Sequence, residues 1–440
     1  SVNLLHQRKT MFEDLKNYTE EMVSFRRSFH KYPETGWTEF RTTAIIAERL
    51  NELGYEVLLG KAIINPDFVM GRSKTEVEAA QCKAVELGIS KEAIGACQGY
   101  TGCAAILETG RPGPVTALRF DIDALYVTET ENVDHIPNKE GFRSEFQGKM
   151  HACGHDCHAA TGLAMAHWLK VHEAELNGTV KLLFQPAEEG TRGALAMTES
   201  GILDDVNYLV GAHIACTPRL GQVFISEPGY NATIKFDVHL EGRAAHSVAN
   251  PQDGRNALMA AAHALVLCGS MPKHGDGLTS ISCGKLTAGE MRNVIPVKAK
   301  MEMEVRGASN ELCQYAFSEA ERSVKFACAA FDVTYRIEKV GQAYTMNPSP
   351  ELADLLEVCA CETVGEKGVG RYSEKGGSED FTVMMDRVQK LGGKAAHFYY
   401  GADSTCNHRS DFDPDDVRSM PIGFEVLVRV LTRLNGEKDC

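Results

Sequence analysis

The densest run of reactive side chains is Met150-His151-Ala152-Cys153-Gly154-His155-Asp156-Cys157-His158. Three histidines, two cysteines and an aspartate fall within the eight residues from His151 to His158. Imidazole and thiolate together suit a borderline-soft divalent ion such as Zn²⁺, or Mn²⁺ once oxygen ligands are added. Spacing alone leaves two readings. In a helix, His151, His155 and His158 share a face at i, i+4 and i+7, as packed histidines do. Gly154 argues instead for a loop in which Cys153 and His155 point at one centre.

A second signal is Gln185-Pro186-Ala187-Glu188-Glu189-Gly190. Adjacent carboxylates after an apolar run are costly unless solvated, capping a helix or bound to metal. As caps they would favour the positive end of the helix that follows. In a metal site they would divide the work, one ligating the ion while its neighbour acts as general base on the attacking water. His213, His408 and His246 read singly as an interior, a loop and a turn histidine.

The elements around these residues give them meaning. Two amphipathic helices open the chain, EDLKNYTEEMVSFRRSFHKY and TTAIIAERLNELG, the second closed by Gly54. A Lys-, Glu- and Ala-rich stretch between about Ile63 and Tyr100 reads as an insertion with helical content. Apolar runs such as VTALRFDIDAL, TVKLLF and YLVGAHI then alternate with helical patterns, which predicts an α/β fold with a mainly parallel sheet covered on both faces. Sites in such sheets form beyond the carboxyl ends of the strands. Asp121 and Asp123 end one strand, Glu188 and Glu189 follow another, His213 ends a third, and His408 lies in the loop after HFYYG. Cys153, His155, a glutamate, His213 and His408 supply enough ligands for two ions sharing a bridge, an arrangement suited to amide hydrolysis.

Between about residues 227 and 340 the order becomes β-α-β-β-α-β, the split βαβ of a ferredoxin-like domain. The predicted division is therefore 1–226 and 341–440 for one catalytic domain, with 227–340 inserted into it. The 440 residues include 46 Lys+Arg against 60 Asp+Glu, a net charge of −14 with no offsetting basic block, which excludes a phosphate-tracking nucleic-acid surface. Fourteen cysteines without a CxxC pair read as reduced thiols in a cytoplasmic protein. SVNLLHQRKTMFEDLKNY has no apolar core, so no secretory signal is expected, and the longest apolar stretch, Ala257 to Cys268, is too short to cross a membrane.

The motifs FDIDAL, MHACGHDCHAA, LLFQPAEEG, VGAHI, GRAAHS, RNVIP, EVRGAS and GGSEDF, with the late His408, run in order along nearly the whole chain. In these the sequence resembles the amidohydrolase branch of the co-catalytic metallopeptidase family that includes aminoacylase, glutamate carboxypeptidase and indoleacetyl-amino-acid hydrolases. The resemblance implies two divalent ions, Zn or Mn, on Cys153, His155, Glu189, His213 and His408, with Glu188 as general base and Asp123 as a carboxylate behind the ligands. Asp121 stands where carboxypeptidase-like relatives have a histidine ligand. The inserted domain resembles a dimerisation lid. Its His246 and Asn293 would reach the partner's site to polarise the scissile carbonyl, Arg306 would grip a substrate carboxylate, and Gly377 of GGSEDF would also contact substrate.

The implied substrate is a small N-acyl or N-aroyl amino acid, and the implied assembly a homodimer or a heterodimer with a related subunit. The alternatives are a peptidase of the same family and a non-catalytic subunit. The insertion from Asn65 to Tyr100 is absent from most of the branch. At Cys406-Asn407-His408 close relatives show two consecutive histidines, and His408 is taken as the ligand because it keeps the spacing to FDPDD.

Overall fold

The computed structural model describes residues 11–374 and 376–436; the start of the N-terminal stretch and Cys440 lie outside them. Its twelve strands are β1 Glu56–Leu59, β2 Cys103–Glu108, β3 Val115–Asp121, β4 Thr179–Gln185, β5 Tyr208–Ala215, β6 Val223–Ser226, β7 Ala232–Glu241, β8 Thr279–Ala288, β9 Lys298–Gly307, β10 Thr334–Ala343, β11 Val369–Tyr372 and β12 Lys394–Gly401. The chain divides into two compact units. One takes the residues up to Pro228, Asn347–Glu374 and those from Asp380 onward; the other takes Gly229–Met346 and a short segment ending at Glu379.

The first unit is built on an eight-stranded sheet of order β1-β2-β4-β3-β5-β12-β6-β11. Its centre, β4-β3-β5-β12, is parallel, so the carboxyl ends of these four strands share one edge. Successive residues face opposite sides of a strand. Val210 and Ala212 enter the main core with Leu163 and Trp168 of the helix His155–Val171, while Gly211 faces Phe381 of the helix Phe381–Lys390. A Cβ on Gly211 would stand 2.8 Å from that ring, so glycine is needed for this approach. The sheet is thus covered on both sides, as the sequence predicts. The predicted insertion forms the helices Lys74–Glu86 and Lys91–Ala96, each capped by a serine hydroxyl, Ser73 or Ser90. Val77, Ala84, Ile94 and Cys97 hold them against Phe40.

Two expectations about local structure are corrected. Residues 151–154 are irregular, but the helix begins at His155, with Gly154 at φ +87° as its N-cap. Only the first half of the His/Cys motif is therefore loop. His213 does not end its strand, because β5 runs on to Ala215.

In the second unit β7, the helix Ala257–Gly269, β8, β9, the helix Asn310–Phe331 and β10 form an antiparallel sheet of order β10-β7-β9-β8. That is the ferredoxin-like order. Both helices bury small residues, Ala260, Ala261, Ala264, Ala316 and Ala320, against Phe236, Val238, Met301 and Val305.

Three helices of the first unit meet on one buried charge. Arg26, from the helix Thr19–Lys31, donates Nε to Asp156 at 2.9 Å, Nη2 to Asp413 at 2.9 Å and Nη1 to Asp416 at 3.2 Å. His30, one turn on, bridges Asp156 and Glu129, each at 2.9 Å. Burial alone would raise the Asp156 carboxyl, but Arg26 and His30 hold it far below the usual range. Removing one partner of such a group strands the others without solvent, at a cost of about 3–5 kcal/mol. Arg26→Ala should lose stability of that order in denaturant unfolding, whereas Arg49→Ala, at a half-exposed pair with Glu21, should lose less than about 1 kcal/mol.

Candidate metal centre

At the shared strand edge, Asp123 lies two residues beyond β3 and is buried. Its Oδ1 accepts from Glu188 N–H at 3.1 Å and lies 3.2 Å from His155 Nδ1, while its Oδ2 accepts from Glu189 N–H at 2.9 Å. With Nδ1–H donated to this carboxylate, His155 turns Nε2 outward as a lone pair. The turn carrying the glutamates is tight, with Ala187 at φ +52°, Gly190 at +84° and Thr191 at +62°. It is not a helix cap. The next helix, Ala194–Thr198, starts five residues beyond Glu189, and Asp380 accepts the N–H groups of Gly193 and Ala194 at its start.

The structure brings the five predicted ligands together. Cys153 Sγ lies 3.5 Å from His213 Nε2, and His408 Nε2 lies 3.5 Å from Glu189 Oε1. Ligand atoms of Cys153, His155 and Glu189 all lie within 4.8 Å of one another. His155 Nε2 stands 3.7 Å from Asp121 Oδ2 and 4.0 Å from Glu188 Oε2. His213 donates Nδ1–H to the Ile214 carbonyl at 2.7 Å, which leaves Nε2 as the inward nitrogen.

These spacings test whether an ion fits. Buried His155 Nε2 and Glu189 Oε1 have no hydrogen-bond partner among the described residues, although polar neighbours stand 3.5–4.0 Å away. That is too long for a hydrogen bond. The 3.5 Å between Glu189 Oε1 and His408 Nε2 does match two ligands each 2.0–2.3 Å from one tetrahedral ion, which stand roughly 3.3–3.7 Å apart. The soft thiolate, imidazoles and carboxylate also form a suitable donor set. The residues fit a divalent cation.

Other residues of the motif brace the centre. His158 also lies among potential ligands, with Asp121, His155 and His213. Its Nε2, however, accepts Ile214 N–H at 2.9 Å and its Nδ1 donates to Asp121, so both nitrogens are used. Arg119, absent from the sequence reading, links Asp121 at 2.6 Å, Gln185 at 2.8 Å and Asp380 at 3.2 Å. Burial would raise the Asp121 carboxyl, yet Arg119, His155 and His158 hold it well below its usual range. His151 points elsewhere. It is buried, neither ring nitrogen has a hydrogen-bond partner among the described residues, and burial pushes it down to about 3.

The neighbouring Asn407, also missed, donates Nδ2 to the carbonyls of Cys153 at 3.0 Å and Ile214 at 3.3 Å. His408 N–H meets the Ala152 carbonyl at 2.6 Å, and its φ of +70° turns the ring toward Glu189. Consecutive residues thus divide the tasks of stapling the loop and facing the site.

The remaining predicted residues belong to the second unit. His246 pairs with Val294 in a bridge, and Ser247 N–H donates to the Asn293 carbonyl at 3.2 Å, so His246 and Asn293 are neighbours. His246 Nδ1 accepts the N–H groups of Val248 and Ala249 at 3.2 and 3.1 Å, which puts its proton on Nε2. Arg306, near the end of β9, donates to the Gly376 carbonyl at 3.0 Å and to Glu304 at 3.0 Å, which brings it to the turn carrying Gly377.

Residues 117–433 match the peptidase family M20/M25/M40. The chain is 44% identical to a p-aminobenzoyl-glutamate hydrolase subunit homolog of Haemophilus influenzae, over 94% of this chain and 98% of that protein. It is 39% identical to an indole-3-acetyl-aspartic acid hydrolase of Enterobacter agglomerans, over 96% of this chain and 97% of that one. Among solved structures, the aminobenzoyl-glutamate utilization protein from Klebsiella pneumoniae is similar with a TM-score of 0.83 and 37% identity, covering 96% of this chain and 97% of that one.

Two outcomes are expected. Asp123→Asn keeps the side chain's shape but replaces one acceptor by a donor, and should weaken metal binding about 10–100-fold in chelator competition. Without an ion, Cys153 and Glu189 beside His408 push its pKa up to about 10. The folded site therefore holds a proton that a cation must displace. Metal uptake at neutral pH should release protons, seen as a buffer-dependent heat in titration calorimetry, and affinity should rise with pH.

Proposed function

The chain belongs to peptidase family M20/M25/M40, and from that premise we propose that it is a two-metal amidohydrolase that frees an acidic amino acid from an N-aroyl or N-acyl conjugate. Metal-dependent hydrolysis is carried by one observation: ligand atoms of buried Cys153 and His155 and of half-buried Glu189 all lie within 4.8 Å of one another, with Glu188 Oε2 4.0 Å from His155 Nε2. The favoured substrate is p-aminobenzoyl-glutamate, in keeping with the 44% identical relative. The 39% identical relative supports a second candidate, indoleacetyl-aspartate. Both names pair an aromatic acyl group with an acidic amino acid.

Cys153, His155, Glu189, His213 and His408 would hold the ions, Zn²⁺ or Mn²⁺. When bound, they would acidify the attacking water and polarise the carbonyl. Glu188 takes the proton of that water and returns it to the leaving amine nitrogen. Asp123 fixes the Glu188–Glu189 peptide so that one carboxylate serves the metal and the other the proton. Nε2–H of His246 and the Asn293 amide donate to the carbonyl oxygen as its charge grows. Arg306, with the turn at Gly377, binds the substrate carboxylate as a fork. We further propose that the inserted unit is a dimerisation lid and that His246 acts in the partner's site. The assembly is a homodimer, or a heterodimer in keeping with a relative named as one subunit of a hydrolase. Its proposed location is the cytoplasm; no described helix is long and apolar enough to cross a membrane.

The test is hydrolysis by metal-reconstituted protein of p-aminobenzoyl-glutamate, indoleacetyl-aspartate, acetyl amino acids and dipeptides. Turnover of the first two well above the rest is expected; a preference for dipeptides would overturn the substrate class. Glu188→Gln should keep metal and fold while losing turnover by about 10² or more. Glu189→Gln should lose metal affinity instead, and exchanged phenotypes would reverse the two roles. Inactive Glu188→Gln and His246→Ala chains, dissociated and reassembled together, should regain activity, since some hybrids carry one complete site. No recovery in verified hybrids with both parents folded and metal-loaded would refute action across the interface.

A further inference from the structure

Two thiols sit together at the rim of this centre. Cys216 follows β5 three residues beyond His213, and Cys406 lies two residues before His408. Their sulfurs are 3.0 Å apart although the residues are 190 positions apart in sequence. Both are free thiols, Cys406 exposed and Cys216 half-buried. They line an open cleft of about 840 Å³ that also carries Arg219 and Arg409, so small oxidants reach them directly. Cys153, Cys157 and Cys359, by contrast, are buried. Paired accessible thiols are the arrangement in which a first oxidised sulfur is captured by a second before further oxidation.

We infer that Cys216 and Cys406 are a redox modification site: a peroxide joins them as a disulfide, and the link loosens the metal held between their two loops. The coupling rests on the assignment of His213 and His408 as ligands. One sulfur, as thiolate, attacks the peroxide O–O bond; it becomes a sulfenic acid, and the departing hydroxide takes up the thiol proton as water. The second thiolate then attacks that sulfur, the S–S bond forms, and the sulfenic oxygen leaves as a second water. Two electrons pass from the sulfurs to the peroxide, and a dithiol reductant returns them by exchange.

The consequence for the centre follows from reach. A disulfide of about 2.05 Å draws the two sulfurs closer by about 1 Å. The loop around His408 has little slack, since Asn407 is stapled to Cys153 and Ile214 and the His408 N–H to Ala152. Metal–ligand distances in well-formed sites lie within about 0.2 Å of their standard values, so a shift of this size at the His213 and His408 loops is large on the scale of the site.

The experiment treats reduced, metal-loaded full-length protein with stoichiometric hydrogen peroxide, then alkylates, digests and weighs the peptides. A linked peptide containing Cys216 and Cys406, lighter by two hydrogens, is expected, together with a tenfold or greater loss of Zn²⁺ affinity in chelator competition. Dithiothreitol should reverse both. Cys216→Ser and Cys406→Ser should load metal and turn over substrate as the parent does, and should keep their Zn²⁺ affinity under peroxide. No linked peptide at a peroxide dose that oxidises the exposed Cys82 would overturn the inference. So would a linked peptide with unchanged affinity, or equal metal loss in the serine variants, which would point to direct oxidation of Cys153. A reduced protein that binds no ion at all would defeat the metal assignment and the coupling with it, while the peptide mass still reports on the pairing.

Discussion

Asp123 ties three separate segments to one point. Its two oxygens receive the backbone N–H groups of Glu188 and Glu189 and face the inner ring nitrogen of His155. That fixes the tautomer of the His155 ring, the direction of the Glu189 side chain, and the position of the Glu188 carboxylate beside it. A side-chain hydrogen bond alone would leave the glutamates free to turn over. Holding consecutive backbone amides instead sends their side chains in different directions, which separates two carboxylates that stand one peptide unit apart. The rest of the edge is arranged around this clamp, with β3 delivering Asp123, β4 the glutamate turn, and the helix from His155 the imidazole.

Crowding carboxylates into a dry edge is tolerable only because positive charge is distributed among them. Arg119 is buried between Asp121 and Asp380 and carries that charge to the rear of the site. Asp380 passes it on to the amides that open the helix Ala194–Thr198. On the open side no arginine is buried among these carboxylates in the described residues, and His408 is pushed to about 10 by its neighbours. The site is therefore electrostatically incomplete toward the cleft and complete behind it. A divalent ion is the species that the unbalanced side calls for.

What the sequence could show follows from the range over which its signals act. The apolar runs that alternate with helical patterns announce the parallel centre of the sheet, and the ligand types stand at the strand ends where such sheets form sites. β6 and β11 went unread because four residues carry no usable periodicity. Glu188 and Glu189 looked like helix caps locally, but Asp380 caps that helix from far along the chain. Arg26 and Arg27 are adjacent on one helix. Nothing local tells that one faces aspartates 130 and 390 positions away while the other stays partly in solvent. His158 lies near His155 on the same helix, and only the N–H of Ile214, from β5, reveals that its second nitrogen is taken.

The Arg26 junction also imposes an order of assembly. Asp156 is made early, but Asp416 belongs to the helix Asp416–Asn435, the last of the described elements, and β12 enters the sheet centre scarcely sooner. A ribosome therefore exposes the N-terminal helices, with a buried-type arginine and unfilled sheet positions, throughout most of translation. The ferredoxin-like unit, by contrast, is almost wholly contiguous from Gly229 to Met346 and can close its own core while the larger unit still waits. The larger unit cannot bury these charges until the helix Asp416–Asn435 has been made, so its apolar surface stays open to aggregation for longer than that of the insert.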